Sequence, residues 1–84
     1  MIELTKEKLE SILDSCMKTT QGPWISYVEG RDHESGSSFI MTGAEDIELT
    51  GATIADQDFI ASAKQDIPLL VMEIYRLQNL LAIK

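Results

Sequence analysis

Cysteine, proline and tryptophan are scarce in this 84-residue chain, which holds one Cys, two Pro and one Trp. With Cys16 alone, an internal disulfide is excluded, and a reducing cytosol is the expected compartment. No run of about 18 apolar residues is present, so no membrane span is expected. The opening stretch, Met1 to Lys6, lacks the basic-then-apolar order of a signal peptide. Positive charge is scarce as well. Seven Lys and Arg stand against 14 Asp and Glu, a net charge of −7. Nucleic acid is therefore not an expected partner, because phosphates require a cationic footprint. The acidic balance favours solubility and attraction to a basic partner. Repeats, low-complexity tracts and linkers are absent too, so residues 1–84 read as a single domain.

Apolar content is ample at 44%. A chain of this size buries only about 60–65% of the surface it exposes when unfolded, so its stability margin is thin. Leu9, Ile12, Leu13, Cys16 and Met17 fall on one helical face and predict a helix over Lys6 to Lys18. Thr5 is its expected N-cap, with Leu4 packed on Leu9 as a staple. Gly22-Pro23 is expected to stop it, the glycine by a left-handed exit. From Trp24 the period becomes two, with Trp24, Ser26 and Val28 on one side and Ile25, Tyr27 and Glu29 on the other. Gly30 to Ser37 is loop chemistry, Ser38 to Thr42 a returning strand, and Ile47 to Thr50 a third, shorter strand. Asp56 is then expected to cap a short helix, and Asp66 a second one that carries Pro68 in its first turn, with a break near Gln65. The expected fold is α+β: an N-terminal helix, a three-stranded antiparallel meander, and two C-terminal helices packed on one sheet face.

The segment GPWISYVEGRDHESGSSFI, from Gly22 to Ile40, holds the only Trp, the only His and three of the five Gly. His33, flanked by Asp32 and Glu34 and close to Ser35 and Ser37, has the residue types of a small hydrolase. Nucleophilic catalysis, however, needs base, nucleophile and orienting group held in a fixed geometry, which neighbours in a loop rarely reach. No catalytic residue, metal ligand or cofactor is assigned. One His and one distant Cys lack a zinc spacing, and Asp32, Glu34, Glu45 and Asp46 lack an EF-hand pattern. Gly30, Gly36 and Gly43 do not form a phosphate loop. Cys16 reads as an inert thiol on an apolar face, and Trp24 as an aromatic anchoring helix to sheet.

Two surfaces remain. The charged set Glu29, Arg31, Asp32, His33, Glu34, Glu45, Asp46 and Glu48 is the candidate partner-binding surface. The last helix carries two neighbouring apolar stripes. Ile67, Leu70, Val71, Ile74, Leu77 and Leu81 make one, and Leu69, Met72, Leu80 and Ile83 make the other, which is the candidate self-association face of a homodimer.

Gly22, Pro23 and Trp24 near the front, and Asp56, Phe59, Ile60, Ala61, Ala63, Asp66, Ile67, Pro68 and Leu69 near the back, carry a resemblance. The pattern GPW followed by DxxFIAxAxxDIPxLL resembles a group of small bacterial and prophage proteins, and the closing part is similar to the Ea22-like proteins of temperate phages. The resemblance implies a mobile-element setting of immunity proteins, inhibitors and phage accessory proteins, and it transfers no catalytic residue. The expected function is a non-enzymatic immunity or inhibitor protein that occludes a basic partner such as a nuclease toxin. The alternatives are a self-associating prophage accessory protein and a small hydrolase centred on His33.

Overall fold

The structure, a computed structural model, describes residues 4–82. Helix α1 spans Lys6–Lys18, strands β1 and β2 span Ile25–Tyr27 and Phe39–Met41, and helix α2 spans Ile54–Ala82. The α+β class holds, but the expected count of elements does not.

Helix α1 begins where the sequence places it. The Thr5 hydroxyl accepts from the Lys8 amide at 3.1 Å, satisfying one of the free donors of the first turn. Its end differs from expectation. Thr19 closes the helix, its hydroxyl donating to the Cys16 carbonyl at 2.7 Å. Gly22 does not adopt a left-handed φ.

β1 and β2 pair antiparallel, with Ser26 opposite Ile40. The third strand is corrected to one isolated bridge. Ile40 and Ile47 exchange two main-chain hydrogen bonds of 2.8 and 2.9 Å, and the ladder stops there. Beyond Ile47 the Thr50-Gly51 turn follows at once and leads into α2, which leaves no length for a ladder. Gly43 lies where a side chain would collide with main chain: an added Cβ would sit 2.6 Å from the Gln21 carbonyl oxygen. That approach lets the Gly43 amide donate to the same oxygen at 2.7 Å.

The two expected C-terminal helices are one. Its N-terminus is a reciprocal cap: the Thr53 hydroxyl accepts from the Asp56 amide, and the Asp56 carboxylate accepts from the Thr53 amide, both at 3.0 Å. Asp56 therefore sits inside the first turn, and Asp66 is an exposed mid-helix residue. Pro68 costs the helix one hydrogen bond to the Lys64 carbonyl and crowds that carbonyl. Ala61 before it and Val71 after it are both buried, so anchorage on either side carries the helix through. At 29 residues α2 runs about 43 Å and sets the 56 Å long axis of the molecule.

The core is small: Leu9, Val28, Ile40, Ala61 and Val71, with Gln57 among them at 5% exposure. Among the described residues, no helix is long and apolar enough to cross a membrane.

Candidate functional site

The loop from Glu29 to Ser37 is tied to itself and to α2. Gly36 has φ of +92°, a left-handed conformation that suits glycine. The turn aims the amides of Ser35 and Gly36 at one Glu29 carboxylate oxygen, each at 2.8 Å. The Glu29 amide in turn donates to the Ser38 hydroxyl at 3.0 Å. Glu29 is thus the internal brace of the loop.

Arg31 and Asp32 are engaged in the same way. The Arg31 guanidinium grips Asp58 of α2 through two bonds of 2.7 and 3.0 Å, and its other donors reach Asp32 at 2.8 and 3.0 Å. Asp32 also accepts from the Val28 amide at 2.8 Å. Hydrogen bonding from Arg31, then from Ser26, pushes the Asp58 carboxyl down to about 2. Arg31, followed by the Val28 amide, lowers Asp32, and the two carboxylates raise the guanidinium above its ordinary range. A planar fork matched to a carboxylate is the geometry in which Arg binds most strongly, and here it pins the hairpin to the start of α2.

His33 packs against the stacked rings of Tyr27 and Phe39, with ring centroids 6.1 and 5.1 Å away. Its Nδ1 lies 2.7 Å from the Ser35 hydroxyl and 3.7 Å from a Glu29 oxygen, while Nε2 is buried with no partner among the described residues. A Ser-His-acid relay requires the nucleophile and the acid on different ring nitrogens. Here Ser35 and Glu29 share one, so the three groups hold a turn and do not form a relay. Among the described residues, no group of three or more His, Cys, Asp or Glu is placed to hold a metal ion.

Of the candidate charged set, Glu34, Glu45, Asp46 and Glu48 remain exposed and take part in no ion pair among the described residues. The other four, Glu29, Arg31, Asp32 and His33, are held by internal contacts.

Sequence reasoning missed three residues of α2 that assemble the molecule. The Gln57 amide nitrogen reaches the Ser26 hydroxyl at 2.9 Å and the carbonyls of Tyr27 and Phe39 at 3.1 Å, bridging both strands. Gln65 pairs with both main-chain groups of Trp24. Lys64 donates to the Cys16 carbonyl at 3.1 Å and to the Thr19 hydroxyl at 2.7 Å, capping α1 from another helix. A signal was present in Ser26, a hydroxyl on the inward side of β1 that needs a buried partner. Trp24 is half-buried, its indole donating to the Thr20 carbonyl at 2.9 Å. Beside it, Cys16, Ile60 and Ile67 line an open apolar notch of about 240 Å³.

The second candidate surface is the distal part of α2. Leu69, Leu70, Met72, Leu77, Leu80 and Leu81 are between 46% and 79% exposed. Leu69, Met72 and Leu80 of the expected self-association face are therefore open to solvent, and Ile83 lies outside the described residues. Leu70, Leu77 and Leu81 of the neighbouring stripe are open as well. The only ion pair on this stretch among the described residues joins Glu73 to Arg76 within the helix.

Comparison of the chain with protein-family models, with curated proteins and with solved structures finds no match.

Proposed function

We propose that the chain is a non-enzymatic protein-binding module that works through the distal apolar flank of α2 and self-associates there. One observation carries this reading: six large apolar side chains of one helix segment stand in solvent, while five apolar residues are buried in the core among the described residues. Burying the exposed part of each contributes about 1 kcal/mol, or about 12 kcal/mol over two copies. Association costs about 4–15 kcal/mol, so a pair forms only where several of the six are covered together. Light scattering across the micromolar range is the test. The chain forms a dimer, and Leu70→Lys with Leu77→Lys returns a monomer with an unchanged helical spectrum. A wild-type chain that stays monomeric at the highest concentration would sink the proposal.

A second reading, an immunity or inhibitor protein that occludes a basic partner such as a nuclease toxin, draws support from Glu34, Glu45, Asp46 and Glu48, whose charges no partner among the described residues neutralises. Free surface acids raise the rate of encounter with a basic protein more than the final affinity. Co-purification of a basic protein from the native host, lost on raising the salt, supports this reading; recovery of no basic protein removes it.

A further inference from the structure

We infer that the paired state is antiparallel and two-fold, α2 against the α2 of a second copy, with Leu70, Ile74, Leu77 and Leu81 as the seam. This inference rests on the self-association proposed above and specifies its geometry.

The four residues follow one another at intervals of four, three and four, the spacing that keeps a stripe on the seam of two wound helices. Leu70, Leu77 and Leu81 are exposed and Ile74 is half-buried, so the stripe is open along its length. The spacing also reads the same in both directions. Running two copies against each other sets Leu70 opposite Leu81 of the second copy and Ile74 opposite its Leu77. Every layer of the seam is then apolar, and the contact is isologous, as closed two-fold symmetry requires.

Charge decides between the two directions. An isoleucine followed three residues on by a leucine also suits parallel pairs. Residues 67–84, however, hold one acid, Glu73, and two bases, Arg76 and Lys84, so the acidic excess of the chain lies entirely in residues 1–66. A parallel pair stands two acidic bodies side by side, with helix axes about 8–10 Å apart, inside the range where salt screens poorly. In the antiparallel register the two Val71, each the last buried residue of its α2, lie about 14 Å apart along the axis, with the bodies at opposite ends. The segments that meet are nearly neutral, since Glu73 and Arg76 pair within each helix. A second copy therefore meets an apolar strip with little charge to desolvate.

Disulfide trapping tests the geometry, using the full chain with Cys16→Ser. Leu70→Cys and Leu81→Cys are oxidised separately and as a mixture, with dimerisation followed in parallel by light scattering. The expected result is a cross-linked dimer from the mixture and none from either variant alone. Cross-linking by each variant alone, without a mixed product, shows a parallel pair and overturns the inference while self-association stands. A dimer by scattering with no cross-link in any arm overturns the seam. A monomer overturns both this geometry and the reading beneath it.

Discussion

Gln65 completes Trp24 as a neighbouring strand would: the Trp24 amide donates to its side-chain oxygen at 2.8 Å, and its side-chain nitrogen donates to the Trp24 carbonyl at 3.1 Å. The same nitrogen reaches the Ala61 carbonyl one turn back, which holds the side chain in place. One helical residue thereby satisfies main-chain groups just ahead of β1 that no third strand supplies. Replacing it with leucine leaves both groups of Trp24 without partners. We expect Gln65→Leu to destabilise the protein by about 1–3 kcal/mol in urea unfolding. The native-state fluorescence of Trp24 shifts to longer wavelength in the same variant; unchanged stability and emission would refute the latch.

Gln57 does for both strands what Gln65 does for one residue. Its amide donates to three oxygens and is almost fully buried. Gln57→Leu should cost about 2–3 kcal/mol, since buried acceptors lose their donor. Gln57→Glu keeps the shape but sets a carboxylate against those oxygens. At neutral pH it should be the more damaging of the two, and chemical denaturation ranks them. The reverse order would show that packing, rather than donation, is what Gln57 provides.

The Arg31–Asp58 pair predicts an acid limb. Asp58 and Asp32 both have depressed folded-state values, Asp58 at about 2 against an ordinary 3.8. Their contribution is therefore fully present above the ordinary value and is lost as pH falls through the folded one. Docking of the hairpin tip on α2 should persist at pH 4 and fade as the pH approaches 2. Arg31→Gln should return Asp58 toward 3.8, read directly by carboxyl NMR titration. Arg31 and Asp58 are both partly exposed, so stability at neutral pH should change little. An Asp58 titration that ignores this substitution would refute the pairing.

Pro68 is a cost that the helix carries. Pro68→Ala restores the amide that the Lys64 carbonyl lacks and removes the ring that crowds it. We expect stabilisation by about 1–3 kcal/mol, measured by thermal or urea unfolding. A loss of stability would show that α2 depends on the ring itself.

Lys64→Met keeps the aliphatic stem along the chain but removes the ammonium from the end of α1. The Cys16 carbonyl and the Thr19 hydroxyl then lose their shared donor. About 1 kcal/mol of stability should go, with faster amide exchange in the last turn of α1. Exchange there at the wild-type rate would refute the cross-helix cap.

Local chemistry was legible in the chain. The Thr5 cap, the extent of α1, the period-two run from Trp24 and the returning strand all follow from residues that touch their near neighbours. The inward side of β1 follows in part: Trp24, Ser26 and Val28 are more buried than Ile25 and Glu29, but Tyr27, expected to face outward, is half-buried as well. Tertiary structure decided the rest, because the deciding contacts join residues far apart. Capping signals at Asp66 and Pro68 argue for a break in α2, yet burial of Ala61 and Val71 on either side outweighs one missing hydrogen bond. The charged loop does not by itself disclose that Asp58, 27 residues away from Arg31, holds its guanidinium. Two apolar stripes on one helix are plain in the sequence. Only the placement of α1 and the hairpin along the proximal part of α2 decides which leucines stay in water, since a body this small cannot cover a helix of 29 residues.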